Sequence, residues 1–442
     1  MPGARGRCFS LLMERIFCWG FEPSKEDAPD LDRVAAGLAH RRSRIRHPGA
    51  TLVHQIPAIG AFLPMITESN EFQLEIEERK VEISEKLRRL EQLLAELNLD
   101  AILISRHENI AWLTAGLAEV RIGILRETGA ASLLVTKQGR AFYLTTNNEA
   151  ARLAQEEFCH LDFQVLVQPW YANDVQASIR KIVGTGKVAG DAPLGSSEVV
   201  SLQPLRCELT AGEMARYRWL GQKTADAAAN VLIRLRPGMS EAAIQAMLAE
   251  RLILEGILPS VYLNAVDHRI SSFPHPVPRR GILERFGMVG FCARRWGLSI
   301  SVTRFIHFGA LSAALEDTFA AVAEVNARLM GATREGESSD GLFTVAREAY
   351  ASLGYAGEER MHHQGGATGY AEREWVARPE GVERVLSQQA FAWNPNLRGA
   401  KVEDTVLLHH GRIERLTGTP NLPVVTTSLN GTDHDSAGVL VV

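Results

Sequence analysis

The chain has 442 residues, with 48 Lys+Arg against 52 Asp+Glu, a formal charge of −4, 46% hydrophobic and 23% charged residues. Such a length exceeds one small domain and suits two of ordinary size, in the proportions of a soluble globular protein. The near-neutral balance excludes a protein dominated by phosphate backbones, and no run approaches the roughly 18–20 apolar residues that span a bilayer.

The cysteines Cys8, Cys18, Cys159, Cys207 and Cys292 are scattered and form no Cys-x-x-Cys pair. They indicate neither a zinc knuckle nor a disulfide scaffold, and they suit a reducing cytoplasm. Residues 1–65 hold an apolar patch from Phe9 to Phe21 interrupted by Glu14, an acidic stretch from Glu22 to Asp32, and a basic run from His40 to His47. No cleavage site follows the apolar patch and the acidic stretch does not fit a transit peptide, so secretion is not expected. Residues 1–65 read as a poorly ordered extension, or as the product of an upstream start with Met65 the true beginning. A basic docking arm around Arg41–Arg46 is the sharper alternative.

Regular patterning begins at Glu71. Leu74, Ile76, Val81, Ile83, Leu87, Leu90, Leu93, Leu94 and Leu97 recur at roughly helical spacing among Glu, Lys and Arg. Asp100–Ile104, Ala131–Val135, Ala141–Leu144 and Phe163–Val167 read as strands, with helices at Asn148–Glu157 and Asp174–Val183. Alternation of this kind predicts a small α/β domain, and Asp191–Leu205 reads as a linker. Thr210-Ala-Gly-Glu213 has capping-box spacing and opens a second domain. Its first helix stops near Pro237-Gly238, and a second runs from Ser240 to Glu255. Strands are expected at Val261–Val266, Met288–Cys292, Leu298–Phe308, Ala390–Trp393 and Val402–Leu408, with helices at Ala313–Met330 and Gly341–Leu353. The divisions are therefore 1–65, 66–205 and 206–442.

Histidine placement is the most informative chemical feature. His275 sits in the proline-flanked segment Ser271–Pro278, and His362 and His363 precede the glycine-rich turn Gln364–Tyr370. On the last strand, Lys401, Glu403 and Thr405 point to one face and Asp404 to the other. A charged face on an apolar strand is solvated, paired or functional.

In this order and spacing the chain from Thr210 onward resembles the pita-bread family, which includes creatinase, prolidase, aminopeptidase P and methionine aminopeptidase. Leu87–Gly116 is similar to the creatinase/prolidase N-terminal domain. The resemblance implies an α/β (α+β) fold: a small N-terminal α/β domain, then a curved antiparallel sheet with flanking helices, usually in a homodimer. Most members hold two metal ions on two Asp, one His and two Glu. Gly297 and Thr303-Arg304 fix the register, and the positions of the two Asp hold Gly290 and Ser301. His363 matches the metal-binding His, Asn394 takes the place of the first Glu, and Glu403 keeps the second. A substrate-facing His is replaced by Tyr370, and His275 matches the His placed over the substrate.

Those losses leave one carboxylate and one imidazole against four positive charges, with neutral Ser and Asn oxygens compensating poorly for hard cations. No cofactor is therefore expected, with a single weakly held divalent metal on His363 and Glu403 left open. The leading expectation is a metal-independent, creatinase-like hydrolase or lyase acting on a C–N bond of a small polar substrate. His275 would shuttle the proton, His363 would stabilise an oxyanion, and Glu403 would hold a cationic group or orient an imidazole. Arg304, His362, Tyr370, Asn394 and Lys401 would bind substrate. The alternatives are a metallopeptidase of the Xaa-Pro type with a degenerate metal site, and an inactive binding protein. Neither a nucleic acid nor a membrane is an expected partner.

Overall fold

The computed structural model describes residues 76–442 apart from Ser196; the extension read over 1–65 and its basic run lie outside the described residues. Helix α1 (Ile76–Glu96) buries Ile83, Leu90 and Leu94 on one face. It covers a five-stranded sheet in the order β4-β3-β2-β1-β5, built from β1 (Ala101–Arg106), β2 (Thr128–Thr136), β3 (Ala141–Thr146), β4 (Gln164–Gln168) and β5 (Val188–Gly190). Both faces are buried, which is why β1 reads as an unbroken apolar run. Ile102, Leu133 and Val135 pack with α1, while Ala101, Leu103, Leu134 and Phe142 pack against Ile179 on the opposite side. Helices α2 (His107–Leu113), α3 (Asn147–Arg152) and α4 (Val175–Val183) complete this layer.

The stretch expected as a linker ends in a short helix, α5 (Gln203–Cys207), which runs across the expected boundary at residues 205–206. Helix α6 (Ala211–Leu232) opens with the capping box in place: Glu213 N donates to Thr210 Oγ1 at 3.1 Å, and Thr210 N donates to Glu213 Oε2 at 2.7 Å. Helix α7 (Glu241–Leu254) follows. The strand expected over Val261–Val266 is two pieces, β6 (Leu258–Tyr262) and β7 (Ala265–Val266), both pairing with β8 (Phe286–Arg295). Helix α8 (His268–Ser272) lies between β7 and β8.

The hairpin of β8 and β9 (Leu298–His307) is the spine of the second domain, with α6 packed along it; α9 (Ala313–Ala332) meets it through Phe319 on Phe305 and pairs with α10 (Ser339–Ser352). A second sheet runs β11-β10-β12-β15-β16, from β10 (Gly365–Thr368), β11 (Trp375–Val376), β12 (Gln389–Trp393), β15 (Asp404–His409) and β16 (Arg412–Arg415). The pair β13 (Asn396–Leu397) and β14 (Ala400–Lys401) leads into β15, so the expected strand starts two residues late and Glu403 stands just outside it. A bridge between Thr303 and Glu403 joins the two sheets. The last strands were not anticipated: β17 (Val424–Leu429) and β18 (Thr432–Ala437) form a polar hairpin, and β19 (Val439–Val441) adds to β9 in parallel. Among the described residues no helix is long and apolar enough to cross a membrane.

Candidate functional site

The proline-flanked loop after α8 holds His275 at the surface. Its Nε2 lies 2.9 Å from Nε2 of His362, so one of the two rings carries the shared proton. The His362 and His363 rings stack at 4.4 Å between centroids, and the His275 centroid is 6.0 Å from that of His363. One ring nitrogen from each of the three lies within 4.8 Å of the others. His362 Nδ1 and His363 Nδ1 are buried without a hydrogen-bond partner.

What aims the His pair inward is a segment expected as a turn, which is strand β10 instead. Gly365 has φ of 102°, and a Cβ there would meet Ala392 O at 2.1 Å; one on Gly366 would meet Trp375 O at the same 2.1 Å. Only glycine lets β10 lie this close to both neighbouring strands. Gln364 secures the corner, accepting from Tyr350 Oη at 2.8 Å and donating to the His362 carbonyl.

Burial, reinforced by Lys401, pushes His362 down to about 3. Burial and then Arg373 push His363 down to about 4, and burial and Lys401 lower His275 as well. All three shifts favour the neutral imidazole over the imidazolium, the form in which a ring can offer a lone pair to a metal ion.

Facing them is a buried charge cluster centred on Glu403. Thr303 Oγ1 donates to Glu403 Oε2 at 2.6 Å, Lys401 Nζ lies 2.9 Å from the same oxygen, and Arg373 reaches Oε1 at 3.4 Å. Burial alone would raise the Glu403 carboxyl, but Lys401 and Arg373 outweigh it and hold it at about 2. The facing read from the sequence holds here. Thr405 turns toward Ser301, its Oγ1 accepting from Ser301 N at 2.9 Å, while Asp404 turns away to Arg304.

Arg373 was missed in the sequence, where it is one cation among many; its loop gives it its place. Glu374 accepts from Tyr370 N at 2.9 Å and from Arg206 Nη2 at 2.8 Å. Arg206 also donates to Asn109, whose amide donates to Asp191 at 2.8 Å. The first domain thereby braces the loop that delivers Arg373.

Several expected substrate contacts are corrected. Arg304 is 1% exposed and pairs with Asp404 at 2.8 Å, with further bonds to the carbonyls of Thr303 and Thr417; it is structural. Tyr370 is also buried, its hydroxyl donating to Glu213 at 2.6 Å beside Lys86, on the far side of its loop. Glu403 spends Oε2 on Thr303 and Lys401, and its Oε1 meets only Arg373, at 3.4 Å. Asn394 stands beside the His pair through Asn394 N to Gln364 O at 2.9 Å, with its Oδ1 buried and unpaired.

The model of the Creatinase/Prolidase N-terminal domain matches residues 86–196, and that of Metallopeptidase family M24 matches residues 215–410. The chain belongs to the pita-bread creatinase/prolidase family. A Xaa-Pro dipeptidase from Pyrococcus horikoshii is 22% identical over 362 residues, 76% of this chain and 98% of that one. One from Pyrococcus furiosus is 29% identical over 163 residues, 35% of this chain and 46% of its own length. Among solved structures, the P. horikoshii dipeptidase superposes with a TM-score of 0.63 at 20% identity, covering 75% of this chain and 98% of that one. A Xaa-Pro dipeptidase from Bacillus anthracis superposes with a TM-score of 0.61 at 18% identity, covering 81% and 100%.

Membership corrects the expectation that no cofactor is needed. The matched family is a metallopeptidase family, and a relative that aligns along 76% of this chain is named as a Xaa-Pro dipeptidase. The five positions taken from the resemblance do not fit a pair of metal ions, however. Arg373 Nη1 lies 3.2 Å from Ser301 Oγ while Nη2 lies on Glu403, so a guanidinium spans two of those positions. A Cβ on Gly290 would already stand 3.0 Å from Thr303 Oγ1. Neutral nitrogen donors are concentrated instead in the three histidines.

Proposed function

We propose that the chain is a metal-dependent hydrolase of the Xaa-Pro dipeptidase type, acting on the C–N bond of a small substrate that carries a carboxylate. The observation that carries this reading is the convergence of His275 with His362 and His363, from segments 87 residues apart in sequence, near the buried Lys401 and the half-buried Arg373. The relatives named as Xaa-Pro dipeptidases favour a peptide-like substrate.

Arg373 and Lys401 would receive the substrate carboxylate. A guanidinium offers two parallel donors to it and an ammonium adds a point charge. Two cations against Glu403 leave this corner net positive, and Glu403 holds both side chains in place before substrate arrives, which lowers the ordering cost of binding. Asn394 would contribute its unpaired Oδ1 to a substrate N–H. A bound divalent metal would supply polarisation of the scissile carbonyl and a water of lowered pKa. A cytoplasmic homodimer is the setting this reading implies, and a monomeric mass in solution would remove the dimer.

The test is hydrolysis of a panel of Xaa-Pro dipeptides with manganese, cobalt or zinc added in turn. Release of proline that is lost in His275→Ala supports the reading. A folded protein that cleaves none of the panel with any of the three ions retires it.

A further inference from the structure

We propose that His275, His362 and His363 form a mononuclear transition-metal site, set apart from the carboxylate positions that the pita-bread resemblance points to. Three imidazoles from two segments present one nitrogen each within 4.8 Å of one another. Ligands tetrahedral about a common zinc at 2.0–2.1 Å stand roughly 3.4 Å apart. The 2.9 Å contact between His275 and His362 needs to open only slightly to reach that spacing, and His363 needs to close.

A second observation points the same way. His363 Nδ1 is buried without a hydrogen-bond partner, whereas the nitrogen that His362 offers the ion is the Nε2 already facing His275. Leaving such a group unsatisfied is costly, and an ion that takes up imidazole nitrogen offsets part of it. Imidazole-only donors select zinc, cobalt, nickel or copper over magnesium or calcium. Three protein ligands with one side of the ring cluster at the surface leave a position open, the arrangement of catalytic zinc sites. His275 is the exposed member, so the open position faces the side from which substrate would arrive. The Arg373 guanidinium, lying on Ser301 and Glu403, keeps a second ion out of the neighbouring corner.

The site stands on geometry; only the use of the metal rests on the hydrolase reading. The experiment is titration of the metal-stripped full chain with cobalt, followed by its visible d–d absorption, and with zinc, followed by elemental analysis after desalting. One equivalent per chain is expected, with a tetrahedral cobalt spectrum. His275→Ala, in a surface loop and checked for an unchanged Tm, should weaken cobalt binding by about 100-fold; His363→Gln should do the same, and Ser301→Ala should leave it unchanged. Absence of stoichiometric uptake, uptake indifferent to both His variants, or a second equivalent lost in Ser301→Ala would each overturn the site. One equivalent bound without dipeptide cleavage keeps the site and retires only the hydrolase reading.

Discussion

Arg373 and Glu403 meet at 3.4 Å on the side of the sheet junction that Ser301 lines, so a loop guanidinium lies across positions that metal-binding carboxylates would occupy in the resemblance. The arrangement makes Glu403 a holder of cations and turns Arg373 and Lys401 into an anion-binding corner. Replacing Arg373 with Ala should raise KM for a dipeptide with a free carboxylate by roughly 10–100-fold, the worth of one charge-assisted hydrogen-bond pair. Turnover number should change far less. Steady-state kinetics on the free acid and its carboxamide decide it, because an equal loss on both would remove the carboxylate contact.

Arg304 gives the opposite expectation. Arg304→Met leaves Asp404 buried without its 2.8 Å partner, and breaking a buried pair on one side costs roughly 3–5 kcal/mol. Urea unfolding should show that loss, while KM of the remaining folded protein stays within about twofold of the parent. A large KM change with unaltered stability would return Arg304 to the substrate.

The brace across the domains can be tested at Arg206. Arg206→Ala strips Glu374 of its buried partner and frees the loop that carries Arg373. Both stability and substrate affinity should fall, and Arg206→Lys should recover stability better than affinity, since an ammonium cannot reproduce the paired contacts to Glu374 and Asn109. Loss of stability with KM unchanged would mean that the loop keeps its position without the brace.

A buried network joins α1 to α6. Lys86 Nζ lies 2.6 Å from both Glu82 and Glu213, and Arg216 lies 2.7 Å from Glu82. Burial by itself would raise the Glu82 carboxyl above its ordinary value of 4.5, but Lys86 and Arg216 outweigh it and hold it below. A carboxyl depressed on folding contributes stability that is complete above its unfolded pKa and is lost as pH falls through the folded one. Stability should therefore decline as pH drops below about 4.5. In Glu82→Gln the protein should be weaker at pH 7, yet lose less on acidification. Denaturant midpoints at a series of pH values measure this, and parallel declines in both proteins would contradict it.

Periodicity carried much of the architecture because burial writes it into the sequence. The apolar run at Ala101–Ile104, the capping box at Thr210–Glu213 and the long β8–β9 region are each legible one segment at a time. Polar strands such as β17 and β18 carry no such signal, since their half-exposed faces leave the apolar alternation weak. Strand β10 reads as a turn because glycine pattern reports flexibility, whereas its role here is close approach to two neighbours.

The candidate site divides in the same way. His275, His362, His363, Lys401 and Glu403 stand out in the sequence by residue type and by the family pattern around them, and the facing of Glu403 against Asp404 follows from strand geometry alone. Which cation serves the site and which serves the core is not a local property. Arg304 follows Thr303 on β9 and turns to the opposite face by that same alternation, but that Asp404 waits there to consume it is settled by the packing of β15; Arg373, remote in sequence, is brought in by a loop that Arg206 of α5 and Asn109 of the first domain brace. A side chain's residue type fixes what it can donate or accept, but its partner is set by whichever segment folding brings within reach, and that selection belongs to the tertiary structure.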